Sequence, residues 1–217
     1  MKFLIAATVV IGSTTIAQAQ SPTAVMERAV KGYTSMQSMR ADFRQVITNP
    51  LTGTTATSRG VLLRKDPNLL SITFSDPKGD QIVSDGTSLW VYLPSSAPGQ
   101  VMKLPADASG AMGMVDPGGL FLSNPAARYT ISDGGSATVG GRKAVIVNLV
   151  PKRDNNAFSR AKVWIDAADY SIRQFEIVDA NGLQRLVSIS NMKPNASIGA
   201  SSFRFSPPKG VRVIAGG

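Results

Sequence analysis

The sequence predicts a mainly β (α+β) fold in which one amphipathic helix precedes a large, strongly curved antiparallel sheet. Apolar residues recur at three- and four-residue intervals between Pro22 and Met39, and the period drops to two from Arg40 onward. Clusters of Gly, Asn, Asp and Pro then interrupt the chain at hairpin spacing, which argues against βαβ units. With 217 residues, 43% of them apolar, the chain is long enough for one domain with a substantial core.

The first segment reads as an address rather than as structure. Lys2, the apolar run Phe3 to Ile11 and the small-x-small site Ala17-Gln18-Ala19 predict a cleavable signal peptide over residues 1–19, leaving 20–217 as a single domain. The run is too short to span a bilayer. No cysteine follows the expected cleavage site, so a soluble, exported product is expected rather than a thioether-linked lipoprotein.

Ser21 and Pro22 suit a helix cap and first turn, and Val25, Ala29, Val30, Tyr33 and Met36 form the apolar stripe of a helix of about four turns. Strand alternation follows over Ala41 to Val46. After the turn-rich Asn49 to Gly53, strands are expected over Thr54–Arg64, Leu69–Phe74, Gln81–Ser84, Leu89–Leu93 and Gln100–Leu104. The second half adds Arg128–Ser132, Ser136–Val139, Lys143–Val150, Ala161–Ile165, Ile172–Val178 and Leu183–Asn191. Asn181-Gly182 before the last of these tolerates the positive φ of a tight hairpin turn.

Ala106 to Asn124 breaks the meander, being rich in glycine and methionine and ending in Leu120, Phe121 and Leu122. Glycine lets backbone torsions change and methionine conforms to irregular apolar surfaces. The segment is either an apolar flap over a greasy cavity or a loop whose Met112 and Met114 pad the core. Trp90 and Tyr92 share one strand face and Leu89, Val91 and Leu93 the other, so this strand is apolar on both sides. It fits either a sheet bordering a hollow, with Trp90 and Tyr92 expected on the hollow side, or a central strand between two packed layers. For Leu62, Leu70 and Phe74 a core role has at least as much claim as lipid contact.

The chain contains neither cysteine nor histidine, which removes thiol and imidazole chemistry, disulfides and Cys/His zinc sites. Other motif-like strings are weak. Ser75-Asp76-Pro77-Lys78 has the spacing of a serine–lysine nucleophile pair but sits in a turn, Asp80 and Asp85 make an accidental carboxylate pair, and the glycines at 110, 113, 118 and 119 lack phosphate-loop spacing. No enzyme, cofactor or metal is expected. The formal charge of +9 is scattered in pairs rather than clustered, which disfavours nucleic acid and suits transient encounters with anionic membranes or acidic proteins, or simply solubility.

Four segments carry a family resemblance in order. They are Met39-Arg40-Ala41-Asp42-Phe43-Arg44-Gln45, Gly60 to Leu70, Gln81 to Tyr92 and Phe203 to Val211. The chain resembles the periplasmic outer-membrane lipoprotein carrier family from about Val25 to Val213. The resemblance implies an unclosed antiparallel barrel of about eleven strands with a helical lid over an apolar hollow, and a monomeric chaperone in the periplasm. It also implies that acylated lipoprotein cargo is received from an inner-membrane ATP-driven release complex and delivered to an outer-membrane receptor. Phe43, Leu62, Leu70, Phe74, Trp90, Tyr92, Met112, Met114, Leu120 and Phe121 are the candidate lipid contacts. Many members latch the lid with an arginine directly before the strand-end proline, where this chain has Asp66. An ionised aspartate only accepts hydrogen bonds, so either Arg64 or Lys65 supplies the donor, with alternation favouring Arg64 and Asp66 orienting it, or the lid is held differently and these charges form a surface pair. A lipid or glycolipid sensor of the envelope on the same scaffold, and an enzyme on it, are the alternatives to a carrier.

Overall fold

The computed structural model describes residues 20–106, 121–153 and 158–216. Helix α1 (Pro22–Thr34) starts at Ser21, whose hydroxyl accepts from Ala24 N, and leads into β1 (Ser38–Asn49). Strands β2 (Thr54–Lys65), β3 (Leu69–Asp76), β4 (Lys78–Asp85), β5 (Ser88–Tyr92) and β6 (Gln100–Pro105) follow as antiparallel neighbours. A single turn of helix, α2 (Pro125–Arg128), precedes β7 (Tyr129–Val139), β8 (Arg142–Pro151), β9 (Arg160–Asp166), β10 (Ile172–Val178) and β11 (Gln184–Pro194). A 3₁₀ turn (Ala200–Phe203) and the short β12 (Arg212–Ala215) end the described chain.

All twelve strands belong to one sheet in the order β12-β6-β5-β4-β3-β2-β1-β11-β10-β9-β8-β7. The expected strongly curved, unclosed antiparallel barrel of about eleven strands under a helical lid is thereby corrected. The sheet is open and not strongly curved, with β7 and β12 as its two edges, and β12 joins β6 in parallel register. Bringing the halves together would require β6 to face β7, and β12 already occupies that side of β6. The helices form no lid among the described residues: α2 has four residues, and α1 is a layer of the core, with Val25, Met26, Ala29 and Tyr33 at most 7% exposed. Two expected strands, Arg128–Ser132 and Ser136–Val139, are one strand, because Asp133-Gly134-Gly135 is a bulge in the pairing of β7 with β8 rather than a turn.

Burial separates the two faces of the sheet. The inner face contributes Met39, Ala41 and Phe43 from β1, Leu62 from β2, Leu70, Ile72 and Phe74 from β3, and alternate residues of β8 to β11 to one apolar cluster with α1. The outer face is largely polar, except where the C-terminal segment crosses β3 to β6 and buries Val83, Val101 and Phe203.

Candidate functional site

The inner apolar face holds half of the lipid-contact candidates. Phe43, Leu62, Leu70, Phe74 and Phe121 are all buried in the cluster shared with α1. Phe43 and Phe74 meet edge-to-face at 5.3 Å across Gly60, which pairs with both residues and has no side chain to separate the rings. Phe121 packs edge-on against Phe158 and Phe175. Met112, Met114 and Leu120 lie outside the described residues.

Trp90 and Tyr92 are on the other face. Both rings pack against Phe205 at 5.6 and 5.7 Å, Trp90 Nε1 donates to Asp85 Oδ2, and Lys103 Nζ lies 5.0 Å from the Trp90 ring centre. Leu89, Val91 and Leu93 take the inner positions, the reverse of the parity expected from ring size. Asp85 also accepts from Thr87 N and Ser88 N. Burial alone would raise its pKa, but these donors, Trp90 and Lys103 together hold it below the usual carboxylate value.

Arg64 ties α1 to the sheet. Its side chain, 14% exposed, reaches the end of the helix, where Nη2 donates to the carbonyls of Tyr33 and Met36 at 3.3 and 2.7 Å. The Tyr33 carbonyl belongs to the last turn, where helix carbonyls lack intrahelical partners and a cation is favoured. The guanidinium lies over the Tyr33 ring at 4.3 Å, and Nη1 donates to Asp66 Oδ1 at 2.7 Å. Asp66 N in turn donates to Gln37 O. Lys65 is exposed on the opposite parity.

A second tie holds the other end of α1, where Tyr170 receives a hydrogen bond from Arg28 and donates to Gln20 Oε1. Nearby, Asp166, 2% exposed, accepts from Arg142 and Arg173, and Asp169 accepts from the same two guanidinium groups. The Arg142 hydrogen bond, helped by Ala168 N, Asp169 N and Arg173, overcomes burial and keeps the Asp166 carboxyl far below the usual carboxylate range.

Between α1 and the sheet lies a cavity of about 40 Å³ lined by Ala29, Tyr33, Met36, Met39, Ile172 and Ile189 among others. It has room for a few water-sized groups and none for an acyl chain. An open groove of about 570 Å³ runs past Gln20, Val25, Asp133 and Val145.

The motif-like polar strings have structural uses. Asp80 accepts from the backbone and hydroxyl of Ser95, and Ser75 donates to Arg59 O. No cluster of three or more potential metal-ligating acidic residues occurs among the described residues.

One inner-face residue escaped sequence reasoning. Arg185 follows the parity of Val187 and Ile189, a signal available in the sequence but masked by the assumption that a cation faces water. Its Nη1 donates to Gln45 Oε1 at 3.1 Å, and Gln45 Nε2 donates to Ser58 Oγ.

The family model and the curated relatives agree with one another. A family model described as outer membrane lipoprotein carrier protein LolA matches residues 34–111 and 127–206. An outer-membrane lipoprotein carrier protein of Chromobacterium violaceum is 28% identical over 98% of this chain and 96% of its own. One from Xanthomonas oryzae is 26% identical over 99% and 96%. Among solved structures, an uncharacterized conserved protein from Thermus thermophilus superposes with a TM-score of 0.57 at 14% identity, covering 90% of this chain and 99% of the other, a likeness of fold alone.

Proposed function

This chain belongs to the LolA family of outer membrane lipoprotein carrier proteins, and from that premise we propose that its inner apolar face shelters the acyl chains of the lipoproteins it carries. It is a non-catalytic carrier of the periplasm. The observation that supports the acyl-chain reading is the make-up of the interior: aromatic and aliphatic side chains from both halves of the sheet meet there.

Burial magnitudes explain why an inner face lined by packed side chains suits a carrier better than a perfect preformed pocket. At about 0.8 kcal/mol per methylene, a 16-carbon chain contributes roughly 12 kcal/mol when fully sequestered. Three such chains in a preformed pocket would exceed the roughly 18 to 21 kcal/mol at which noncovalent affinity saturates, and release would fail. Displacing packed side chains offsets part of that gain. Phe43, Leu62, Leu70, Phe74 and Phe121 are the proposed contacts, exchanging one another's packing for acyl packing. Arg64, with Asp66 orienting it, is the polar tie that yields when α1 and the sheet part. Arg64 Nε is buried without an acceptor, so the tie is less than fully satisfied and easier to break.

An inner-membrane ATP-driven release complex is the proposed donor of cargo and an outer-membrane receptor the proposed acceptor, with the carrier acting as a monomer. A pI near 10.1 supports brief encounters with anionic surfaces at both ends of the route.

Mass spectrometry of protein gently purified from its native envelope tests the reading. Acylated lipoprotein in roughly equimolar amount is the expected result. Recovery of empty protein, together with failure to solubilise any lipoprotein from inner membranes supplied with the release complex and ATP, overturns it.

A further inference from the structure

Arg185 is an unusual residue to find on the inner face. Register sets it opposite Ile47 of β1 and Ile177 of β10, and one inner-face step from Val187, which is fully buried. Its one protein hydrogen bond among the described residues runs to Gln45, a neutral side chain that is itself 5% exposed. No carboxylate lies within ion-pair distance of it among the described residues. Asp179 acts on it only through space, and burial lowers the arginine's pKa. A guanidinium has five N–H donors, and Gln45 takes one of them. The partly desolvated cation therefore retains donor capacity beside an apolar surface, and its charge is offset only at a distance, by Asp179.

We propose that Arg185 gives the carrier a second ligand class: single-chain amphiphiles whose acyl tail enters the apolar interior and whose oxyanion, a carboxylate or a phosphate, is held by this guanidinium. The acyl chains of a lipoprotein are esterified or amidated and present no anion, so Arg185 is not needed for them. A fatty acid or lysophospholipid matches both halves of the arrangement. Gln45, anchored through Ser58, engages Nη1 and leaves the remaining N–H donors for a two-pronged contact with the oxyanion. The inference rests on the reading that the interior admits acyl chains.

Titration calorimetry of the purified protein with oleate, methyl oleate, oleoyl lysophosphatidic acid and a triacylated lipopeptide tests it. Oleate is expected to bind about tenfold tighter than its methyl ester, in line with a charge-assisted contact in a partly desolvated site. The comparison of oleate with the lysophosphatidic acid identifies which oxyanion source is preferred. Arg185→Gln should abolish the preference of acid over ester while leaving lipopeptide binding intact, and Arg185→Lys should keep part of it. Equal affinity for acid and ester in the wild-type protein, or a preference that survives Arg185→Gln, overturns the inference even when the lipopeptide binds. Absence of binding by all four ligands overturns the acyl-chain reading along with it.

Discussion

Arg64 and Asp166 each hold two elements together, but by different physics. Arg64 makes charge-assisted hydrogen bonds to helix-end carbonyls from a mostly buried position. Arg64→Ala removes the cation from those carbonyls and from the face of the Tyr33 ring, and it should lower unfolding free energy by about 1 to 3 kcal/mol in urea titration. Arg64→Lys should recover only part of this, because an ammonium cannot span Tyr33, Met36 and Asp66 with one planar fork. Amide exchange at residues 31–37 should rise in both variants. Asp166 sits between two arginines with its pKa held below the unfolded value of about 3.8. Its stabilising contribution is therefore complete above that value and is lost as pH falls from there through the folded pKa. Asp166→Asn should cost about 2 to 4 kcal/mol at pH 7, since two guanidinium groups lose their shared carboxylate. The gap between wild type and variant, followed by chemical denaturation, should stay constant from pH 7 to about 5 and narrow below about pH 4.

At the scale of elements, the central hairpins depend on a missing side chain. Gly60 lies between Phe43 and Phe74, and a Cβ built there would stand 2.1 Å from Thr73 O and 2.9 Å from the Phe74 Cα. Both are backbone atoms and cannot swing aside. Gly60→Ala should therefore push β2 from β3, separate the two rings and destabilise the protein by more than about 2 kcal/mol, measured as a shift of the urea midpoint. Gly53, in the β1–β2 turn, has open space around a Cβ and a φ of +68°. Gly53→Ala carries only the cost of a left-handed conformation, about 1 kcal/mol, and serves as the control.

For the whole molecule, the C-terminal segment makes the sheet two-sided. Phe203 is 2% exposed against the outer face, and Phe205 covers Trp90 and Tyr92. Phe205→Ala should uncover Trp90, one of two tryptophans in the chain, and shift the emission maximum to longer wavelength. Acyl-chain binding at the inner face should be left unchanged by this variant. A loss of lipopeptide affinity as large as that caused by substituting Phe43 would instead place the lipid contacts on the outer face. The same segment ends in β12, which pairs in parallel with β6, covers it, and itself becomes a short edge strand of four residues.

Local pattern determined the elements that neighbour one another in sequence. Alternation and turn residues located β2, β3, β8 and β10 to within about two residues, the Ser21-Pro22 start of α1 was readable as a cap, and strand alternation, which puts Arg64 and Asp66 on one face, favoured Arg64 over Lys65 as the donor near Asp66. The helix was read too long, because Met36 kept the apolar period after the backbone had left the helix at Ser35. Three matters lay beyond the sequence. β12 is four residues at the end of the chain, and only contact with β6, more than a hundred residues away, makes it a strand. An open sheet instead of a barrel depends on which distant edges meet, and periodicity within a strand contains no such term. The facing of Trp90 and Tyr92 depends on Phe205 covering one side of β5: alternation groups residues by face, and only the layer that packs against each face decides which one is inside.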